Sequence, residues 1–415
     1  MLSYQQARDL VVSRLEALTR EPQTESVPLL EAPGRILAHD IVSDRDYPPF
    51  DRSIRDGYAV RAADTYADAQ LKCIGELKAG DSPSISLVAW TCIQIMTGAA
   101  LPDGADAVVM VEHTSREGDT VKLDRAVQPG QHLVRRGSEQ SCGGTVLTAG
   151  TRMGFAQIAA AAQVGAAEIV VYQKPRVAIL STGDEIVEVG SKPGPFQIRN
   201  SNAASLAVQV SLAGGEPILL GNAKDSLDDL RQKISVGLEA DMLILSGGVS
   251  MGKYDLVEPV LGEFGPEFIF DAVAIRPGKP VVFAVCTGKS LSQGKPSAAQ
   301  GKLVFGLPGN PVSTMVTFDL FVRPAIDILS GEGRARPLPF FEAELSVALS
   351  EKAGLTHFLP AKLAWQGNAA RVSPVPWQGS GDVMAMAQAN CLLVVPAERE
   401  RIEAGERVYV LPRGI

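Results

Sequence analysis

Three stretches decide the fold. They are Val177-Ala178-Ile179-Leu180-Ser181-Thr182-Gly183-Asp184-Glu185, Met242-Leu243-Ile244-Leu245-Ser246-Gly247-Gly248-Val249-Ser250-Met251-Gly252, and Leu303-Val304-Phe305-Gly306-Leu307-Pro308-Gly309-Asn310-Pro311-Val312-Ser313. Each runs from a short apolar strand signal into a turn containing glycine, as strands buried on both faces do. Helical segments lie near 202–213, 226–238 and 312–329, and Ser226 followed three residues later by Asp229 predicts a capped helix start. Strand alternating with helix predicts a parallel-type sheet covered on both faces, a three-layer α/β domain over 174–330. The polar Gly/Ser/Gln-rich stretch 290–302 predicts a solvent loop within it.

Outward from this centre the rhythm changes. Ser3 to Gln6 reads as a capping box, followed by Ala7, Leu10, Val11, Leu15 and Leu18 at helical spacing. An Ala-rich stretch near 153–167 is expected to pack against that helix, giving a discontinuous helical/linker domain of 1–44 with 141–173. Between them, 45–140 holds short strand signals at Gly57–Val60, Cys92–Met96 and Ala107–Val111, an inserted β-rich domain. Alternation in Glu342–Leu349 and Arg407–Leu411 predicts a C-terminal β-barrel-like domain over 331–415. The fold class is α/β multidomain.

Composition narrows the function. Across 415 residues, 46% are hydrophobic and 21% charged, which excludes bulk disorder. Asp and Glu total 47 against 39 Lys and Arg, a net charge of −8 that disfavours a broad nucleic-acid surface. A small anion in a locally basic pocket remains compatible with it. His39, His113, His132 and His357 show no ligand spacing, and the five cysteines contain no CxxC pair. Zinc, Fe–S clusters and a secreted disulfide framework are therefore disfavoured, and buried reduced thiols are expected. Acidic Asp9 and Glu16 interrupt any leader signal, and Gln157, Gln163 and Glu168 break the apolar run 155–171. The expectation is a soluble cytoplasmic protein without membrane partners.

In a parallel α/β sheet, ligands bind outside the carboxyl ends of the strands, where all three quoted loops fall. Glycines let backbone N–H groups approach an anion, and Ser246, Ser250 and Ser313 add hydroxyl donors. Neither GxGxxG nor GxxxxGK[ST] occurs, so a dinucleotide fingerprint and a P-loop are unsupported. Asp184, Glu185, Asp225 and Asp255 supply hard oxygen donors suited to Mg²⁺ beside phosphate. A simpler reading has Asp184 closing a turn and Asp225 capping the next helix. In Ile275-Arg276-Pro277-Gly278-Lys279-Pro280, two cations flank a turn and can converge on one oxyanion. The run 48–60, PPFDRSIRDGYAV, is costly to order unless it supports a site.

Taken in order, PPFDRSIRDGYAV (48–60), IMTGAALPDGADAVV (95–109), STGDE (181–185), IRNSN (198–202), SGGVSMGKYD (246–255), RPGKP (276–280), LPGNPVS (307–313) and QGSGD (378–382) resemble the MoeA family of molybdopterin molybdenumtransferases, related to the gephyrin E-domain. The resemblance implies Mg²⁺-dependent insertion of molybdate into adenylylated molybdopterin, with cleavage of its phosphoanhydride and release of AMP. It implies a homodimer with the site completed across subunits, and a molybdopterin adenylyltransferase and molybdoenzymes as partners. Asp56, Thr97, Glu185, Asp225 and Asp255 match positions associated with activity, Glu185 and Asp255 being the expected Mg²⁺ ligands. Arg276, Lys279, Ser313 and Ser380 match positions that hold molybdate. Ser246, Gly247, Gly248 and Ser250, with Pro308 and Pro311, would contact nucleotide or pterin phosphate.

Some residues depart from the family pattern. Arg135-Arg136-Gly137-Ser138-Glu139 stands where an acidic residue often follows the glycine, and Glu139 is the nearest substitute. In Lys352-Ala353-Gly354-Leu355-Thr356-His357, Leu355 replaces a frequent arginine. The oxyanion site would then be weaker, be rebuilt by His357 or Lys352, or serve a related metal such as tungsten. Two other functions share parts of this pattern: a molybdopterin adenylyltransferase, and a non-catalytic molybdopterin-binding scaffold.

Overall fold

The computed structural model describes residues 1–18, 22–248, 257–286 and 301–413. They form two compact units: 1–25, 34–38 and 170–415 in the first, 26–33 and 39–169 in the second.

In the first unit, helix α1 (Tyr4–Ala17) starts at the predicted capping box: Gln6 N–H donates to Ser3 Oγ at 3.2 Å, and Ser3 N–H to Gln6 Oε1 at 2.9 Å. Its Ala7, Val11 and Leu15 are buried in one core with Val177, Phe305 and Phe321. The apolar stripe expected to meet the Ala-rich stretch is thus taken up by the α/β core. That stretch forms the helix Phe155–Gln163 of the second unit.

The sheet of the first unit contains β1 (Arg176–Thr182), β2 (Glu216–Ala223), β3 (Met242–Ser246), β4 (Pro266–Ala272), β5 (Pro280–Cys286) and β6 (Lys302–Leu307), in the order β2-β1-β3-β6-β5-β4. β2, β1, β3 and β6 run parallel, as expected; β5 alone is reversed, antiparallel to both β6 and β4. The short connection 273–279 explains the reversal, because a parallel crossover needs about a dozen residues or more. Of the polar stretch 290–302, Lys302 already belongs to β6, and 290–300 lie outside the described residues.

Alternate strand residues feed two cores. Val177, Ile179, Met242, Ile244 and Phe305 pack with α1, α2 (Ser201–Ala213) and α5 (Pro311–Thr317). Ala178, Leu180, Leu243, Leu245 and Val304 pack with α3 (Leu227–Gly237) and α4 (Val257–Gly262). These are the three layers, each buried large side chain contributing about 1.5–3 kcal/mol. Ser226 caps α3 as expected, its Oγ accepting from Asp229 N–H at 3.4 Å.

Downstream, β7 (Phe341–Leu345), β8 (Thr356–Gln366), β9 (Ala369–Pro374), β10 (Cys391–Val395) and β11 (Arg407–Pro412) close on themselves through β8–β9, β9–β7, β7–β11, β11–β10 and β10–β8. The predicted barrel-like domain is present, and closure leaves no edge strand. Ile275 and Arg276 pair in parallel with Thr356 and His357, fastening the barrel to the turn that carries the two cations.

The second unit holds a six-stranded sheet in the order Ala107–Met110, Gly57–Val60, Thr91–Ile95, Gln70–Leu77, Thr120–Leu123, Thr114–Glu117. Gly57 is obligatory there: a Cβ would lie 1.9 Å from Val109 O on the neighbouring strand. Four cysteines are buried free thiols as expected; Cys142 differs, being exposed within the turn 141–144. Among the described residues, no helix is long and apolar enough to cross a membrane.

Candidate active site

Loops at the carboxyl ends of β1, β3 and β6 open on one crevice of about 580 Å³, lined by Ser181–Gly183, Glu185, Asn200–Asn202, Asp225, Ser246–Gly248 and Pro308–Pro311. Gly247 and Gly248 have φ of 91° and 63°, which a side chain would resist. Gly247 N–H donates to Leu307 O at 3.1 Å, tying the second loop to the third. Glu185 is exposed and curls over Gly183, where a Cβ would meet its Oε2 at 2.4 Å. Asp184 links two loops rather than closing its own turn, accepting from Asp225 N–H at 3.2 Å. Asp225 is not the helix cap; Ser226 is, which leaves the Asp225 carboxylate at the crevice. A larger cavity of about 850 Å³ sits at the amino ends of the strands, lined by Arg176, Glu216, Asp241 and Lys302. It lies away from the glycine loops, so we place the chemistry in the smaller crevice.

The residues expected to hold an oxyanion lie beside this crevice, whose lining includes Pro280 of the same turn. Gly278 has φ 105°, and a Cβ there would lie 2.5 Å from Thr317 Cγ2 and 3.7 Å from Ser313 O. The Arg276–Lys279 turn therefore rests on α5, which carries buried Ser313. Ser380 meets the same helix start: its carbonyl accepts from Val312 N–H at 3.0 Å and its Oγ from Asn310 Nδ2 at 2.9 Å. Arg276 and Lys279 are exposed, and Lys279 makes no ion pair among the described residues. Arg276 Nη1 stands 3.7 Å from Glu351 Oε2, a carboxylate the sequence did not single out.

His357 does not rebuild the oxyanion site. It is 1% exposed, its Nε2 lies 3.0 Å from Lys352 O, and its Nδ1 faces Glu351 Oε2 at 3.0 Å. No hydrogen bond forms at that Nδ1. Lys352 is exposed and remains the available substitute cation.

In the second unit, Thr97 clamps Asp56: its N–H and Oγ1 both donate to Asp56 Oδ1, at 2.7 and 2.8 Å. The backbone bond first, then the hydroxyl, hold the Asp56 carboxyl below its ordinary value. Glu139 is engaged by Arg52 at 2.8 Å in an exposed ion pair. Ser250 and Asp255 lie outside the described residues. Sequence reasoning gives Asn202 and Glu351 no role, although Asn202 lies in a quoted motif, because loop-to-loop bridging leaves no periodic trace in sequence; Asn310 falls within the expected Pro308–Pro311 contact loop.

Glycine loops above a doubly wound sheet, beside a turn carrying two cations, define a multidomain α/β protein with a ligand crevice at its strand ends and an appended barrel. Residues 2–165 match the MoeA N-terminal region (domain I and II), residues 178–327 a probable molybdopterin binding domain, and residues 342–412 the MoeA C-terminal region (domain IV). A molybdopterin molybdenumtransferase of Haemophilus influenzae is 35% identical over 99% of this chain and 98% of its own. That of a Nostoc species is 34% identical over 99% and 94%. The crystal structure of the molybdopterin biosynthesis moeA protein from Pyrococcus horikoshii OT3 superposes with a TM-score of 0.81 at 29% identity, covering 100% of both chains. The chain belongs to the MoeA family, and with it to the transferases of molybdenum cofactor biosynthesis.

Proposed function

We propose that this chain inserts molybdenum from molybdate into adenylylated molybdopterin in a Mg²⁺-dependent reaction that cleaves the phosphoanhydride and releases AMP. One observation carries the reading: the glycine-loop crevice, the turn carrying Arg276 and Lys279, Ser313 and Ser380 all meet one helix, α5. A phosphate-bearing substrate and a tetrahedral dianion then sit side by side, the dianion held by charge-assisted hydrogen bonds. Anhydride cleavage depends on positioning and charge neutralisation, so neither histidine nor cysteine is needed.

The residues present fit Mg²⁺. Glu185 and Asp225 are exposed carboxylates lining the crevice. That suits an ion bound by one or two carboxylates, with water and phosphate oxygens completing its shell. Glu185 would hold it, with Asp255 assigned from sequence, and when bound it neutralises charge on the anhydride. The protein's own part is to cradle phosphate on Ser246–Gly248, orient molybdate through Arg276, Lys279, Ser313 and Ser380, and present Asp56 as a fixed carboxylate.

The same reading includes a cytoplasmic homodimer with the site shared across subunits. It also includes the four-part division 1–44 with 141–173, 45–140, 174–330 and 331–415, and hand-over from an adenylyltransferase to molybdoenzymes. Expression in cells lacking their molybdenum-inserting transferase tests it: this chain restores molybdoenzyme activity and Glu185→Gln does not. Equal rescue by both would instead mean a scaffold role.

A further inference from the structure

Asn200 and Asn202 stand one residue apart at the start of α2, and their amides do different things. Asn200 is fully used: its Oδ1 accepts from Ala203 N–H at 3.0 Å and its Nδ2 donates to Ser181 Oγ at 3.0 Å. Asn202 spans two loops instead, its Nδ2 donating to Ser246 Oγ and to Gly309 O, both at 2.8 Å. A backbone carbonyl can only accept, so Gly309 fixes which end of the Asn202 amide faces it. Its Oδ1 is left buried with no donor. A buried acceptor without a partner costs about 1–3 kcal/mol, which a structural bridge gains nothing by retaining.

The neighbouring hydroxyl is the mirror case. Ser246 Oγ accepts from Asn202, so its own proton remains to be given, and it finds no acceptor among the described residues. Both residues line the crevice. An unused acceptor beside an unused donor is the complement of a ring edge carrying an N–H next to an acceptor, as in a pterin lactam or the amino edge of adenine.

We propose that Asn202, with Ser246, reads the nitrogen heterocycle of the substrate, Asn202 Oδ1 accepting from a ring or amino N–H while Ser246 donates to the adjacent acceptor. This rests on the crevice holding adenylylated molybdopterin, and it adds a base-reading role to loops so far assigned only phosphate.

The test measures equilibrium binding of three probes to the full chain: molybdopterin, AMP and inorganic pyrophosphate. The first carries only the pterin, the second only the adenine, the third neither. Asn202→Ala is expected to weaken one of the two heterocycles about tenfold or more and leave pyrophosphate unchanged. Whichever heterocycle is lost identifies the ring that is read. Ser246→Ala, which keeps the Asn202–Gly309 bond, is expected to weaken the same heterocycle by a larger factor than pyrophosphate, since this serine also belongs to the phosphate loop. Uniform weakening of all three probes would overturn the proposal, because Asn202 would then act only by bracing the loops. Unchanged binding of both heterocycles would overturn it as well. Wild-type protein that binds neither heterocycle would be a different failure, that of the crevice assignment itself.

Discussion

At the residue scale, the site is governed by which charges are already engaged. Arg276 shares space with Glu351 at 3.7 Å, so an incoming dianion competes with a resident carboxylate. Pairs this exposed contribute up to about 1 kcal/mol. Glu351→Gln should therefore tighten molybdate binding by up to about fivefold, measured by calorimetry; weaker binding would mean Glu351 orients Arg276 rather than opposing it. Asp56 is the opposite case, since Thr97 stabilises its ionised form. Thr97→Val removes one of the two donors and lets the Asp56 carboxyl rise toward its ordinary value. The acid limb of the rate profile should shift upward with it, and an unmoved limb would separate Asp56 from the chemistry. Arg276 and Lys279 stand out in the sequence because two cations flank a Pro-Gly turn, and Ser313 because it is a hydroxyl in a glycine-rich loop, whereas Ser380 is reached only through the family resemblance. Glu351 does not stand out, since its relevance arises from the β8 pairing that brings residues 351–357 beside Arg276.

At the element scale, the parallel core was legible because strands buried on both faces leave uninterrupted apolar runs, as in Val177–Leu180 and Met242–Leu245. The reversed β5 was not, because direction is decided by connection length rather than by composition. The partner of α1 was missed for a related reason: an amphipathic stripe announces burial without naming what covers it. In the second unit, Gly57 sets how closely Gly57–Val60 approaches Ala107–Met110. Gly57→Ala should force these strands apart and cost about 1–3 kcal/mol or more, seen as a lower denaturation midpoint. An unchanged midpoint would show that the strands can yield. Acid sensitivity belongs to the same unit. Asp46 is held below its ordinary value by Cys142 N–H and Arg136, as Asp56 is by Thr97. Their folded-state values are depressed, so the stability they confer is fully present above the ordinary carboxylate value of about 3.9 and is lost as pH falls through the folded values. Denaturant titrations across pH 2–6 should show that loss, and Asp46→Asn should flatten it.

At the scale of the whole molecule, a net charge of −8 coexists with the proposed binding of anionic substrates. In that proposal the reversal is local, made by Arg276, Lys279 and backbone N–H groups, and a global sum cannot display it. The ordered motifs were the better guide, because they span both units and the barrel, and the three family regions match along the same length. The most direct test is a single-turnover reaction of the purified chain with adenylylated molybdopterin, molybdate and Mg²⁺, following AMP release and dithiolene-bound molybdenum together. Equal yields of AMP and inserted metal, with both falling when molybdate is omitted, are the predicted result. AMP release without metal insertion, or neither product with all components present, would contradict it.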